Sequence, residues 1–227
     1  METNSLSTEI APPVIAKPRT IVYVDGFNWY YSVFKHHPEW KWLNVQSFFE
    51  DLRSGDNVVK IKVFSAIVDP TRQYSDTRDR QKRYFKTFKS LPKVELILGT
   101  YQDRTVTCRG KCKNQYPVPE EKKTDVNIAV NLLNDAIKNE ADKLILVSGD
   151  SDLQPAIAWL KKNYPKLGLI VFIPSLPEEE KYRRASYYAT IGVASMVLPL
   201  NTMGNHILPD PVVLPDGTKV SKPPTWV

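Results

Sequence analysis

Four aspartates are the residues of this 227-residue chain whose types and spacing could do chemistry. Asp25 ends the apolar run "TIVYV" and is followed at once by Gly26. Asp125 stands at the head of the segment "TDVNIAVNLLNDAIKN", and Asp150 and Asp152 follow the apolar run "LILV" within "SGDSD". Singly, each has an ordinary explanation. Asp-Gly is a common turn, an acid in a first helical turn gains about 0.3–1 kcal/mol from the helix dipole, and Asp150 or Asp152 can cap a helix starting near Leu153. Together they would set several like charges around one crevice, where carboxylates either stay partly protonated or gather a cation. An all-oxygen set without histidine or thiolate suits Mg²⁺ or Mn²⁺ better than zinc. The reaction such an ion supports is attack of an activated water on a phosphodiester.

Those carboxylates need elements that bring them to one rim, and the hydrophobic pattern supplies a series of them. "TIVYV" (20–24) is a strand, and "NWYYSVFKH" after it has aromatic residues at helical spacing. A short helix at 44–53 with Asn44 as a candidate cap, a strand at 58–68, a basic helix at 71–91 and a strand at 93–99 follow. Tyr74, Tyr84, Phe85 and Phe88 are available for the inner face of that basic helix. Apolar residues at 126, 130, 133 and 137 predict an amphipathic helix with Thr124 as its cap. Further on come a strand at 142–152, a helix with Pro155 in its first turn, a strand at 167–174, a short charged helix around "EEEKYRRAS" and a possible edge strand at 193–200. Nearly apolar strands alternating with helices predict a parallel sheet covered on both faces. In such a sheet the ligand crevice lies beyond the carboxyl ends of the strands, where Asp25, Asp150 and Asp152 stand.

Residues 1–18 are expected to be a loose leader, 19–200 one α/β domain with a polar, cysteine-containing insert at about 101–121, and 201–227 a proline-rich surface tail. No segment is long enough to span a membrane. The two cysteines, Cys108 and Cys112, do not make the disulfide framework of a secreted domain, so the expected location is cytoplasmic. A closed zinc site needs four ligands; "CRGKC" offers two, so zinc there is disfavoured unless a homodimer shares it.

Net charge is +6 and the pI about 9.1, favouring a polyanionic partner. Between Arg72 and Lys93 stand eight Lys/Arg against Asp76 and Asp79, an excess equal to that of the whole chain. Arg72, Arg78, Arg80, Lys82 and Arg83 on this helix, with Lys122 and Lys123 just before Asp125, are candidates to hold flanking phosphates. A solvated helix face and a solvated loop pair are the competing explanations. One exposed ring among Phe27, Trp29, Tyr30 and Tyr31 could stack a base, although most of them are needed for the core.

"IVYVDGFNWYYSV", "EEKKTDVNIAVNLLNDA" and "LILVSGDSDLQPAI" resemble, in order and spacing, the three signature segments of the NYN domain, in its LabA-like (DUF88) branch. The resemblance implies a PIN-like fold, a three-layer α/β/α arrangement around a central, mostly parallel sheet. It implies metal-dependent hydrolysis of RNA, with single-stranded RNA the expected substrate. Matched motif by motif, Asp25, Asp125, Asp150 and Asp152 would be metal ligands, Asn28 a polar neighbour in the catalytic set and Ser148 a nearby substrate contact. Two other readings attach to the same resemblance: an RNA-binding or regulatory module with little turnover, and a hydroxylase of pyridine compounds. For the last, the chain has no G-x-G-x-x-G fingerprint.

Overall fold

A computed structural model describes residues 16–68, 75–108, 110, 112–176 and 188–226. Residues 1–15 of the expected leader, Arg72, Tyr74 and the whole of the charged helix expected around "EEEKYRRAS" lie outside the described residues. The apolar, β-branched runs form the strands β1 (Arg19–Asp25), β2 (Asn57–Ser65) and β3 (Val94–Leu98). Two strands from the insert follow, β4 (Thr100–Thr107) and β5 (Gln115–Lys122), and then β6 (Lys143–Val147), β7 (Gly168–Ile173) and β8 (Ala194–Val197). The main sheet has the order β3-β2-β1-β6-β7-β8, and every pairing in it is parallel. From β1 the chain steps outward through β2 to β3, then returns to lay β6 on the other edge of β1. The carboxyl ends of β1 and β6 are therefore the point where strand order reverses, which is where a crevice opens in an α/β sheet.

Helices α1 (Gly26–Trp29), α2 (Val45–Leu52), α3 (Ser75–Thr87), α4 (Thr124–Ile137) and α5 (Gln154–Asn163) connect and flank these strands. Alternation along β1 divides the interior in two. Val22 and Val24 join Trp29, Phe48, Phe49 and Phe88 on one face, while Ile21 and Tyr23 join Ile128, Leu132, Ile157 and Leu160 on the other. This is the three-layer α/β/α architecture expected from the pattern.

The expected helix after Asp25 is split. After one α-turn, Tyr30–Phe34 is a π-helix, with the Lys35 N–H donating to Tyr30 O at 2.8 Å. Gly26 answers a second constraint. A Cβ there would meet the carbonyl oxygen of Phe64 at 2.7 Å, so the chain leaves β1 hard against the end of β2. Asn44 caps α2 as expected, accepting from the Ser47 N–H at 3.1 Å. Thr124 does not cap α4. Lys123, at φ 77°, precedes the helix without a capping side-chain bond, and Thr124 is its first residue. Both the backbone N–H and the hydroxyl of Thr124 donate to the Glu121 carboxylate, which takes the capping role from outside the helix.

The insert is a hairpin. β4 and β5 pair antiparallel in a sheet of their own, with Tyr101 opposite Glu121 at its base and free Cys108 and Cys112 toward its tip. The segment after 200 buries Leu208, Val212, Leu214 and Val220 in the first core and adds the short ladder β9 (Val212–Val213) with β10 (Lys219–Val220).

One buried ionic contact holds α4 to the sheet. Lys62, on β2, donates to Asp135 at 2.7 Å and to Asn131 at 2.9 Å, and the Tyr23 hydroxyl donates to the same Asp135 oxygen at 2.5 Å. Both charged side chains are less than a tenth exposed. Burial, followed by the Asp135 carboxylate, pushes the Tyr23 phenol far above its ordinary range, so it stays a donor. Replacing Lys62 alone strands a buried carboxylate. Lys62→Met is expected to cost about 3–5 kcal/mol in urea unfolding followed by circular dichroism, and Lys62→Met with Asp135→Leu to recover much of it. Equal losses in the single and double variants would mean the contact does not anchor α4.

Candidate active site

Asp25 is the most enclosed of the four aspartates, at 4% exposure. It is held from two sides, its Oδ1 accepting from the Asn28 N–H at 2.9 Å and its Oδ2 from the Ser148 hydroxyl at 2.8 Å. Neighbouring strands make this possible, because Val24 lies opposite Val147 and the next residues beyond that pair come side by side. Ser148 also accepts from the Asp150 N–H at 3.0 Å, and Asn28 Oδ1 accepts from the Gly149 N–H at 2.9 Å. The ends of β1 and β6 are thereby cross-linked. Ser148, expected to meet substrate, is fully buried with its one donor committed to Asp25.

Asp150 caps the turn Ser151–Leu153 by accepting from the Asp152 N–H at 2.9 Å, so the capping explanation holds for it alongside any other role. Its carbonyl accepts from the Tyr188 hydroxyl at 2.6 Å. Asp152 is exposed.

The sequence-predicted carboxylates feel one another. Asp125 is pushed up to about 6, first by burial and then by Asp25, Asp150, Glu121 and Asp152. Asp25 is also raised, chiefly by burial, with Asp150 and Glu121 adding to it against the two hydrogen bonds that lower it. Two participants escaped the sequence reading. Glu121 stands at the foot of the hairpin, and its signal was its position three residues before Thr124, the reach of a helix-capping carboxylate. Tyr188 carries no local signal, since only the tertiary fold brings it to Asp150.

Among the described residues, no three Asp, Glu, His or Cys side chains are disposed to hold a metal ion as they stand, the two thiols included. The donor chemistry is nonetheless that of a hard divalent cation. All the groups are carboxylates, and burial together with their mutual field keeps Asp125 from ionising at its ordinary value.

The basic segment divides in position. Lys82 and Arg83 are exposed on α3, Arg78 is half-buried with its Nε lacking a partner among the described residues, and Arg80 turns inward beside Thr77. Lys86 and Lys89 lie near Asp216 of the C-terminal segment, which they help to hold below its ordinary value after its bonds to Thr218. Lys122 and Lys123 are exposed beside Asp125. The Gln81 amide pins α3 to the segment after β2, bonding Ala66 O at 2.9 Å and the Val68 N–H at 3.0 Å.

Residues 19–191 match the family model described as NYN domain. The chain is 26% identical over 185 residues to 6-hydroxy-3-succinoylpyridine 3-monooxygenase HspA of Pseudomonas putida, an alignment covering 67% of this chain and 59% of that protein's length. In fold it is similar to a protein of unknown function from Vibrio parahaemolyticus, with a TM-score of 0.51 and 19% identity over 82% of this chain and 94% of the other. No helix among the described residues is long and apolar enough to cross a membrane.

The charge cluster carries a stability consequence. With its folded value raised from 3.8 to about 6, Asp125 destabilises the fold once ionised. The cost is absent below about pH 4, grows as pH rises to about 6 and is complete above it, because the folded state binds the proton more tightly than the unfolded one. Asp125→Asn is expected to be about 1 kcal/mol more stable than the parent at pH 7.5 in EDTA, after discounting for the solvent that screens a half-buried group, and to match it at pH 4. Urea midpoints at the two pH values check this, and a variant less stable at pH 7.5 would contradict it.

Proposed function

The chain belongs to the NYN domain family, and from that premise we propose that it is a metal-dependent endoribonuclease. The observation that carries the proposal is the convergence of Asp25, Asp125 and Asp150 near the strand-order reversal, where burial first and then the neighbouring carboxylates raise Asp125 to about 6. These three, with Asp152, are the residues that would hold Mg²⁺ or Mn²⁺. When bound, such an ion supplies an acidified water and neutralises charge on the phosphate.

The remaining work falls to the chain's own groups. Ser148 and the Asn28 backbone fix both oxygens of Asp25, so its orientation is set before any ligand arrives. Asn28 ties the loop carrying Asp150 to the end of β1. Lys122 and Lys123 stand exposed beside Asp125, and Lys82 and Arg83 on α3. They would hold flanking phosphates of single-stranded RNA with affinity that falls steeply with salt.

Asp150→Asn keeps the cap and removes the charge. With labelled single-stranded RNA and Mn²⁺, the variant is expected to lose at least ~100-fold in cleavage while binding RNA about as tightly as the parent. Cleavage that survives the substitution, or that EDTA does not stop, would assign the activity elsewhere. A parent that binds RNA without cutting it would favour a binding or regulatory module.

A second reading rests on the name of the Pseudomonas relative, hydroxylation of a pyridine compound, of which this chain spans 59% of the length. It requires consumption of a reductant that depends on an added pyridine substrate.

A further inference from the structure

Beside the carboxylates lies a cavity of about 430 Å³ that the proposed hydrolysis does not use. Its volume falls in the roughly 300–1,000 Å³ range of pockets that enclose a small ligand. Aromatic residues make half of its wall, among them Phe27, Tyr30, Tyr31, Phe85, Tyr101 and Trp226. Tyr30 and Tyr31 are 38% and 58% exposed, so the mouth is open to solvent.

Three features separate this cavity from a packing defect. The first is charge. Lys41 and Arg80 both line the wall, half-buried, and Arg80 is near enough to help depress the Lys41 ammonium, after burial, below its ordinary value. Glu39 offsets this only in part and is itself bonded to His37 at 2.8 Å, while Arg80 donates to the neutral Thr77 hydroxyl at 2.9 Å. Two like charges against an apolar wall fit an anion. The second is an orphan donor. Trp29, also in the wall, is 1% exposed, and its indole Nε1–H has no hydrogen-bond partner among the described residues. A buried donor left unmade is costly, so an acceptor that reached it would be favoured.

The third is position. Gly26, the residue after Asp25, and Ser65, at the end of β2, line the cavity. The hairpin base joins the two places, since Tyr101 in the wall sits opposite Glu121, which acts on Asp25 and Asp125. Tyr101 also meets Phe27 edge-on, with centroids 5.8 Å apart.

We propose that this cavity is a nucleotide subsite, taking one base of the RNA among its rings with the attached phosphate held by Lys41 and Arg80. The assignment rests on the hydrolytic reading above and deepens it: a nucleotide flanking the scissile bond is anchored here, which positions the chain across the carboxylates.

Trp29 and Trp226 make intrinsic fluorescence a direct reporter. The full chain in EDTA is titrated with AMP, GMP, CMP and UMP, and in separate arms with ribose 5-phosphate and nicotinate. At least one mononucleotide is expected to quench saturably, at least tenfold more tightly than either ringless phosphate or aromatic carboxylate. Arg80→Gln and Lys41→Gln, each checked for native circular dichroism, are expected to weaken it by about tenfold, the equivalent of ~1.4 kcal/mol. Absence of saturable quenching by all four nucleotides overturns the subsite, as does nicotinate binding more tightly than any of them, or affinity untouched when both cations are replaced. The two readings fail separately. Metal-dependent RNA cleavage without nucleotide binding removes only the subsite, and nucleotide binding by a chain that cuts no RNA removes only the hydrolysis.

Discussion

Parallel pairing of β1 with β6 is the constraint on which the site depends. With Val24 opposite Val147, the first residues past the ladder are Asp25 and Ser148, and their side chains meet. Two further polar contacts extend that meeting: the Asn28 Oδ1 accepts from the Gly149 N–H, and the Asp150 N–H reaches back to Ser148. The fold thereby prepays the burial of one carboxylate with two fixed donors, although the field of its neighbours still opposes its charge. A slip of one residue in that register would turn Asp25 away and bring Val24 to the rim.

The second support is remote from the rim. Lys62 and Asp135 join the sheet to α4 a full helix-length from Asp125, and they do so inside the second core. Buried ion pairs are weak sources of stability and strong sources of geometry when a partner is fixed by other bonds. Here Tyr23 and Asn131 supply those bonds, so α4 has little freedom to slide and the acid at its head keeps its place.

Much of this was legible in the sequence, because it rests on local pattern. The strands β1, β2, β3, β6 and β7 are nearly apolar, β-branched runs, and the Asn44 cap and the amphipathic period of α4 follow from residue type alone. The parallel sheet then puts Asp25 and Asp150 at the same end by topology. What escaped was mostly tertiary. Thr124 looks like a cap until Glu121, three residues earlier near the end of β5, takes that role, and nothing local to Lys62 tells that Asp135 covers it. A polar insert with two cysteines gives no hint that its base folds Tyr101 and Glu121 onto the rim. The basic segment read as one face, whereas the fold spends Arg80 in a cavity wall and sets Asp216 near Lys86 and Lys89.

The π turn at Tyr30–Phe34 gives the aromatic wall an origin in chain length. One surplus residue in a helical turn widens it and rotates everything downstream relative to a regular α-helix, at a cost in hydrogen-bond geometry. Tyr30, Tyr31 and Phe34 therefore face where they do through the width of this turn, independent of which rings they carry. Shortening this turn by one position would leave the composition of the wall almost unaltered while dispersing it, so diversity among relatives here should be sought in indels before substitutions.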